Sequence, residues 1–407
     1  MLATAGTMTI GLPRAMAEQK RMIGANNRIG IGLIGCGNYG NNLIDVLLKH
    51  HTEMNVGIHS ICDIWKPLMD TTAEKIRKKT GSSPHKSTRY QDVLNHPEVD
   101  AVIIASPDFA HCRQMIDAAN AGKHIYVEKP MATRMADANA ALDAVRASNI
   151  VCHVGTQRRA DPKYIGAAHF FHENQPLGQI INAEANWNVN DERWVRDYSE
   201  VRREDVDWEA FLMDLPFRPF NPHMVRMWRL YRECCHGPIG LLGTHLIDVA
   251  TWFLDDSLPS RVVGFGDHML WKDRRETMDY QHCIYSFPKG WVLQFQARFQ
   301  NSHGGSRNRF FGTNGIFDTD TWEFRGDGGG KNRLKEVIKA PVAEGLGDNS
   351  RYNLLADWVQ CMHHGGQPLC DINHGYAHSV ASIMGFQACL TGKPAIFDSH
   401  KRTIRLG

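Results

Sequence analysis

A glycine pattern of defined spacing is the first feature of this sequence that could do chemistry. An apolar run ends at Gly35, and Gly37 and Gly40 complete a G-x-G-x-x-G. The first glycine permits a tight turn, the second lets the backbone approach a pyrophosphate, and the third lets a helix pack closely on the preceding strand. That helix begins near Asn38 and Tyr39, and its free N–H groups favour phosphate. The pattern, between strand and helix, predicts a dinucleotide-binding site.

An acidic residue ends the second predicted strand, where a bound ribose would lie. Asp63 directly follows residues 56–62 and comes 23 positions after Gly40. A carboxylate there accepts hydrogen bonds from the ribose hydroxyls and repels a 2′-phosphate, so it favours NAD over NADP. The ammonium group of Lys66 is close enough to this position in the sequence that NADP stays an alternative cofactor. The alternative interpretation is an aspartate that merely opens the following turn.

A second chemical pattern is Glu128-Lys129-Pro130, which follows the apolar residues 125–127. A lysine at the carboxyl end of a parallel strand faces the crevice in which such sheets bind ligands. Pro130 fixes the backbone after the lysine, and Glu128 could hold or polarise the ammonium group. The tripeptide by itself is common on protein surfaces, but its place at a strand end indicates function.

The elements that would position these residues alternate between strand and helix. Residues 101–105 and 125–127 are continuous apolar runs, typical of buried parallel strands. Residues 28–155 therefore predict an α/β domain of the Rossmann type, with a doubly wound parallel sheet that binds the dinucleotide. Residues 156–407 predict a second α/β domain for substrate binding and oligomerisation. Its alternating strands from 260 to 300 predict an open, largely antiparallel sheet, with the C-terminal helices packing back beside the core.

Composition and charge argue against several classes of function. The 407 residues include 46 Lys and Arg against 44 Asp and Glu, a net charge of +2. Without a block of like charge, the sequence predicts neither a nucleic-acid partner nor a membrane surface as partner. No run of 18 apolar residues predicts a membrane span. The ten cysteines contain no C-x-x-C, which indicates reduced packing residues and no disulfide framework.

The first 27 residues allow two interpretations. Residues 1–17 carry no charge before Arg14 and end in an A-x-A pattern, which resembles an export signal without its basic leader. An exported, periplasmic protein is one expectation from this segment. The alternative is a disordered N-terminus on a cytoplasmic protein.

Taken together, these motifs resemble those of the Gfo/Idh/MocA family of oxidoreductases, related to glucose–fructose oxidoreductase and inositol dehydrogenase. The likeness rests on the G-x-G-x-x-G, the acidic strand end, A-S-P-x-x-x-H at residues 105–111 and E-K-P at 128–130. It implies NAD(H) or NADP(H) in the first domain and a sugar or polyol against the second. It also implies that Lys129 contacts the nicotinamide region and the reacting hydroxyl. The cofactor-binding positions on this basis are Gly35, Gly37, Asn38, Tyr39, Asp63, Ser106, Pro107, His111, Glu128, Lys129, Gln157 and Arg158.

The same resemblance identifies residues 237–248 with the family's catalytic helix, and places His245 at the catalytic histidine position. Oxidising a secondary alcohol needs a base for the hydroxyl proton, and a His or Lys with a pKa near neutrality can serve. Lys129 and His245 are therefore the predicted catalytic residues. Asp248, one helical turn later, could orient the imidazole.

The sequence departs from the family pattern one turn before that histidine. Leu241 occupies the position of an aspartate that works with the lysine and histidine. Three alternatives remain open. Lys129 and His245 suffice, or a neighbour such as His236 or Glu233 substitutes, or the chemistry has drifted.

Aromatic and cationic side chains mark the predicted substrate side. Trp187 ends a predicted strand, and Arg226 and Trp228 follow a proline-rich loop at 207–222. Ring faces and guanidinium forks suit a polyhydroxylated or anionic substrate, although exposed arginines are often only solvated and such aromatics often lie in the core. The predicted substrate-binding positions are Lys129, Trp187, Arg226, Trp228, His236, His245 and Asp248.

Two further expectations concern metal and assembly. His374 and His378 have a spacing that a zinc site would use, but no carboxylate completes an H-E-x-x-H pattern, so no metal site is predicted. In relatives, the outer face of the second sheet pairs subunits. The resemblance therefore implies a homodimer or homotetramer.

Three functions follow from the sequence and the resemblance. The leading one is an NAD(P)-dependent oxidoreductase that moves a hydride between nicotinamide and a hydroxyl carbon of a sugar or polyol. The second is a glycosidase that recycles its NAD through transient oxidation, elimination, water addition and re-reduction. The third is a sugar sensor that binds nucleotide without turnover, which Leu241 favours.

Overall fold

The computed structural model describes residues 28–407. The prediction of an export signal or disordered segment at residues 1–27 lies outside the described residues and stays a prediction. Within the described range, none of the helices is long and apolar enough to cross a membrane. The same residues contain no cluster of three or more potential metal ligands.

Six short strands form the first sheet: β1 (Ile29–Ile34), β2 (Val56–Cys62), β3 (His85–Ser87), β4 (Ala101–Ile104), β5 (His124–Glu128) and β6 (Cys152–Gly155). Their order is β3-β2-β1-β4-β5-β6, and every pair is parallel. Every residue of β1 and β4 is buried, which explains their unbroken apolar sequences. This order confirms the predicted doubly wound sheet.

The helices of this domain cover both faces of the sheet, and the order of the strands sets where a ligand can bind. The strand order reverses at β1, because β2 and β4 lie on either side of it. Such a switch point opens a crevice at the carboxyl ends of the strands. The helices are α1 (Asn38–His50), α2 (Lys66–Thr80), α3 (Tyr90–Leu94), α4 (His111–Asn120) and α5 (Met135–Ala147).

The second sheet has ten strands: β7 (Ile180–Asn188), β8 (Arg261–Asp267), β9 (Tyr280–Ser286), β10 (Val292–Arg298), β11 (Ser306–Gly312), β12 (Gly315–Asp318), β13 (Glu323–Arg325), β14 (Ile338–Lys339), β15 (Ala395–Asp398) and β16 (Thr403–Leu406). Their order is β14-β13-β12-β11-β7-β10-β9-β8-β15-β16. Within this second sheet, β7 and β10 are the only described strands that pair in parallel. The predicted open, largely antiparallel sheet is therefore confirmed.

Helices α6 (Pro162–Asn174), α9 (Thr244–Phe253) and α11 (Ile372–Thr391) pack against this second sheet. The other helices of this part are α7 (Trp208–Leu212), α8 (Pro222–Arg226) and α10 (Ser350–His364). A π-helical turn at Ile239–Gly243 leads into α9, a feature that often marks functional sites. Helix α10 returns to the first domain, where Leu354 and Trp358 share a core with β1 and α1.

Residues 189–235, which we call the bridging segment, reach back across the crevice to the first domain. The Asp207 N–H donates to the Ile64 carbonyl at 2.8 Å, and the Asp207 carboxylate accepts from the Thr88 hydroxyl at 2.8 Å. Val206 forms a β-bridge with Trp65. These contacts begin one residue after Asp63, so the segment forms a wall of the predicted cofactor crevice.

Candidate functional site

The glycine turn after β1 has the geometry that a pyrophosphate needs. Gly35 has a φ of 100°, and a Cβ on it would lie 2.6 Å from the Ala105 carbonyl. A Cβ on Gly40 would lie 2.0 Å from the Gly35 oxygen, so close packing excludes any side chain there. Around Gly37, in contrast, a Cβ would meet no atom within 4 Å. Gly37 precedes α1, whose N-terminus has no side-chain cap, so backbone N–H groups face open space.

Asp63 is anchored to this turn. Its Oδ2 accepts from the Cys36 N–H at 2.7 Å, and its Oδ1 accepts from the Trp65 N–H at 2.9 Å. Burial raises the pKa of Asp63 to about 6, although these two backbone hydrogen bonds lower it. Lys66 donates to the Glu204 carbonyl in the bridging segment at 3.0 Å. The Lys66 ammonium, on which the NADP alternative rested, is therefore bound to the bridging segment.

One cavity of about 750 Å³ joins the glycine turn to the carboxyl end of β5 and the start of α9. The structure brings eleven of the twelve predicted cofactor positions to its wall, all except Arg158. Four predicted substrate positions line it as well, namely Lys129, Arg226, Trp228 and His245. The eleven cofactor positions are Gly35, Gly37, Asn38, Tyr39, Asp63, Ser106, Pro107, His111, Glu128, Lys129 and Gln157.

His111 ties together the two strand ends that carry this site. Its ring nitrogens lie 2.9 Å from the Pro130 carbonyl and 2.9 Å from the Ser106 carbonyl. Burial lowers the pKa of His111 to about 4, although the two carbonyl acceptors raise it. His111 thereby fixes the end of β4 against the residue that follows Lys129.

Lys129 is held by a backbone acceptor from the second domain. Its Nζ donates to the Leu241 carbonyl at 2.7 Å, in the π-helical turn before α9. Burial lowers the pKa of Lys129, while the neighbouring Glu128 and Asp108 raise it. The residue that replaces the expected aspartate thus still contacts the lysine, but through a neutral carbonyl oxygen.

Glu128 lies behind Lys129 and is only 6% exposed. The Tyr126 hydroxyl donates to its Oε1 at 3.3 Å. Burial raises the pKa of Glu128 to about 7, although Lys129 lowers it. On the same side of the cavity, Gln157 donates to the Tyr39 hydroxyl and links the crossover segment to the glycine turn.

His245 lines the same cavity as Lys129, so the structure brings the two predicted catalytic residues together. Burial holds the pKa of His245 well below its usual value, and the neighbouring cations Lys129 and Arg158 lower it further. A neutral imidazole can accept a proton. The Trp187 ring lies behind the imidazole, with ring centroids 5.8 Å apart.

Asp248 does not serve as the partner of His245 that the sequence allowed. Its two carboxylate oxygens accept from the Arg159 Nε at 3.0 Å and 2.9 Å, and both side chains are buried. Burial by itself would raise the pKa of Asp248, but Arg159 and His378 lower it to about 2. The spacing of one helical turn places Asp248 near His245 along the helix, but its carboxylate pairs with Arg159, which belongs to another element.

Neither proposed substitute for the missing aspartate lines the cavity. His236 stacks on Phe386 with ring centroids 4.1 Å apart, and burial lowers its pKa to about 4. Glu233 forms a bidentate ion pair with Arg218 in the bridging segment. Substrate binding by His236 therefore has no support in this geometry and stays a prediction.

The remaining predicted positions divide between the cavity wall and the layer behind it. Arg226 lies over the Trp65 ring at 5.1 Å from its centroid, and it donates to the Asp197 carbonyl at 3.2 Å. Arg158 donates to the Ser306 hydroxyl at 2.8 Å and lies 5.7 Å from the centroid of Trp187. Arg158 and Trp187 thus support His245 from behind.

Asp108 and Arg229 are two of the charged cavity residues that were not among the predicted site residues. Asp108 is 3% exposed and follows Ser106 and Pro107 at the end of β4. Arg229 lies over the Trp228 ring, 4.1 Å from its centroid. The position of Asp108 at a strand end was a usable signal, whereas nothing local distinguishes Arg229 from the other arginines of its loop.

Two family models match the chain. Residues 29–156 match the model of the Gfo/Idh/MocA oxidoreductase family with an NAD-binding Rossmann fold, and residues 211–318 match the Gfo/Idh/MocA C-terminal domain. The first domain is therefore an NAD-binding domain, in agreement with the open glycine turn and the anchored Asp63.

Curated relatives match over segments of different length. The chain is 38% identical over 95 residues to scyllo-inositol 2-dehydrogenase (NAD(+)) of Bacillus subtilis, which covers 23% of this chain and 28% of that protein. It is 27% identical to levoglucosan dehydrogenase of Pseudarthrobacter phenanthrenivorans over 41% of this chain and 36% of that protein. These segments span less than half the length of either relative. At 21% identity, an alpha-N-acetylgalactosaminidase of Shewanella oneidensis matches over 88% of this chain and 82% of its own length.

Solved structures share the fold over nearly the whole chain. Levoglucosan dehydrogenase in complex with NADH and levoglucosan has a TM-score of 0.67 at 19% identity, covering 90% of this chain and 98% of that one. Aldose-aldose oxidoreductase from Caulobacter crescentus has a TM-score of 0.69 at 17% identity, covering 91% and 100%. At this identity the likeness shows the two-domain fold alone.

Proposed function

The chain belongs to the Gfo/Idh/MocA oxidoreductase family, and from that premise we propose that it is an NAD-dependent oxidoreductase acting on a sugar or polyol. The observation that carries the proposal is one cavity lined by the glycine turn, Lys129 and His245. Bound NAD supplies a nicotinamide that exchanges a hydride with the carbon bearing the reacting hydroxyl.

The chain's own residues handle the proton of that hydroxyl. Lys129 is held in place by the Leu241 carbonyl, and burial lowers its pKa, which increases its neutral, basic fraction. His245 is neutral beside it and offers a second acceptor. Trp228 and Arg226 also line the cavity, and an aromatic ring and a guanidinium group suit a hydroxylated substrate.

The first experiment incubates the purified protein with NAD, a panel of free sugars and polyols, and the matching aryl glycosides. NADH absorbance and aglycone release are followed together. NADH that accumulates in step with a free sugar or polyol supports the oxidoreductase. A broad panel that gives neither signal contradicts it.

A glycosidase that recycles its NAD is the second candidate, because the bridging segment closes one side of the crevice. Asp207 and Val206 join that segment to the first domain beside Asp63, which favours a cofactor retained between turnovers. Aglycone release without net NADH is the expected result for this function. It should be accompanied by solvent deuterium at C2 of the released sugar, and the absence of that label argues against elimination.

Cofactor binding is expected to depend on the empty space at Gly37. Gly37→Ala should weaken NAD binding at least about tenfold, because a methyl group occupies the place where the pyrophosphate approaches. The free energy of unfolding should change by no more than about 0.5 kcal/mol, because the added carbon meets no atom within 4 Å and the φ of −65° suits any residue. Calorimetric NAD titration and thermal unfolding measure the two effects.

Gly40→Ala is the matched control. Its added carbon would lie 2.0 Å from the Gly35 oxygen, so this variant should lose stability whether or not NAD is present. An unchanged NAD affinity in Gly37→Ala contradicts a pyrophosphate at this turn.

We further propose that the protein is a homodimer or homotetramer that associates through the outer face of the second sheet. Val263, Phe265 and Ile284 are 38%, 55% and 42% exposed on neighbouring strands β8 and β9. Phe265→Asp is therefore expected to dissociate the oligomer at micromolar concentration, as measured by sedimentation. Phe217→Asp, at an 85% exposed site in the bridging segment, should leave it intact. A monomeric wild-type protein contradicts the proposal.

A further inference from the structure

Asp108 has an unusual environment for a carboxylate. It begins the 3₁₀ turn Asp108–Ala110 after β4, lines the cavity and is 3% exposed. Its Oδ2 is fully buried and has no hydrogen-bond partner within residues 28–407. A buried carboxylate oxygen without a partner is costly. The Oδ2 of Asp108 is therefore a buried hydrogen-bond acceptor to which no other described residue donates.

Two cations of the cavity wall face this carboxylate. Lys129 and Arg229 both lower the pKa of Asp108, which burial raises to about 7. No ion pair within 4.0 Å joins Asp108 to either cation in the described part of the chain. Arg229 lies against the Trp228 ring, and Lys129 donates to the Leu241 carbonyl. Asp108 is thus near both cations and bound to neither.

The chemistry of Lys129 requires a negative charge nearby. When Lys129 accepts a proton it becomes an ammonium ion in a largely desolvated crevice, and its present acceptor, the Leu241 carbonyl, carries no charge. A carboxylate stabilises a buried ammonium far more than a carbonyl does. Two carboxylates raise the pKa of Lys129, namely Glu128 and Asp108. Glu128 already accepts a hydrogen bond from the Tyr126 hydroxyl, whereas the Oδ2 of Asp108 has no hydrogen-bond partner among the described residues.

We propose that Asp108 is the positioning carboxylate of Lys129, balancing the ammonium charge that forms when the lysine takes the substrate's hydroxyl proton. The inference rests on the proposed oxidoreductase function. The O–H bond of the substrate breaks as an N–H bond forms on Nζ, and the hydrogen of the C–H bond leaves with its electron pair as hydride, for which NAD⁺ would be the acceptor when bound. Asp108 transfers no proton in that step.

The titration of Lys129 tests this pairing without any turnover. In Asp108→Asn the midpoint should fall by about one pH unit, because the variant loses a carboxylate that favours the charged lysine. Competitive acetylation of the protein across pH, read by mass spectrometry of the Lys129 peptide, gives the midpoint. The charged or titratable groups facing Lys129 from all packed elements are Glu128, Asp108, His111, Arg229 and His245.

Matched variants separate the charge from the shape. Asp108→Glu should keep the wild-type midpoint within a few tenths of a unit. Asp137→Asn removes a half-buried carboxylate of α5 that pairs with Arg134, so it should have no effect. Asp108→Ser is the second neutral variant, expected to show the same downward shift if Asp108→Asn does not fold.

Turnover gives a second, independent readout. Lys129 acts as a base only when neutral, so kcat/KM for alcohol oxidation falls below its pKa. Asp108→Asn should therefore move this acid limb to lower pH by about one unit. An unchanged labelling midpoint in both neutral variants overturns the pairing. A shifted midpoint in a protein that oxidises no alcohol supports the pairing and contradicts the proposed function.

Discussion

Replacing Lys129 with methionine is expected to lower turnover at least about a hundredfold in either proposed enzyme. Methionine keeps a similar length and apolar stem but has no amine to take or hold the proton. It also cannot donate to the Leu241 carbonyl, so the contact between the lysine and the π-helical turn disappears. NADH formation and aglycone release at saturating substrate measure the loss.

The controls for this variant separate chemistry from binding and folding. Lys75→Met removes a half-buried lysine that pairs with Asp45 on α1 and does not line the cavity, so it should keep wild-type activity. Lys129→Met should still fold and still bind NAD, as thermal unfolding and calorimetric titration measure. A ligand response that survives Lys129→Met in a protein with no measurable turnover favours the sensor. Undiminished turnover contradicts the role of Lys129.

Replacing Asp248 with alanine is expected to lower the free energy of unfolding by about 3–5 kcal/mol. The side chains of Asp248 and Arg159 are 2% and 6% exposed, and the carboxylate accepts two hydrogen bonds from the guanidinium. Removing the acid leaves an uncompensated buried cation near the start of α6. Chemical denaturation at pH 7 measures the change.

The pH dependence of this contribution follows from the lowered pKa of Asp248. The folded-state pKa is about 2, below the value in the unfolded chain. The pair therefore makes its full contribution to the free energy of unfolding above about pH 5, and this contribution is lost as the pH falls toward 2.

Two control variants test the role of the buried pair. Asp45→Asn, in an exposed pair, should lower the free energy of unfolding by no more than about 1 kcal/mol. The double variant Asp248→Leu with Arg159→Met should recover much of the loss, since no unpaired charge remains. A single-variant loss as small as that of Asp45→Asn contradicts the role of the buried pair.

Most of the fold followed from local sequence. The strand predicted at residues 56–62 matches β2 residue for residue, and the predicted strand that carries Trp187 is β7. Apolar runs identify buried parallel strands, and alternation identifies strands with one open face, because both patterns depend on neighbours in sequence. The edge strand β3 was missed, because its three residues are polar and mostly exposed.

The sequence by itself determined which residues reach the cavity from strand ends, because a parallel sheet places all those ends at one edge. Gly37, Asp63 and Lys129 belong to this group. Only the tertiary structure decided their partners. Lys129 bonds to a carbonyl 112 positions away, and Asp248 pairs with Arg159, 89 positions away, in place of the histidine one turn before it. Spacing along a helix determines the direction in which each side chain leaves that helix. The partner of a buried charge depends instead on which other element packs against it.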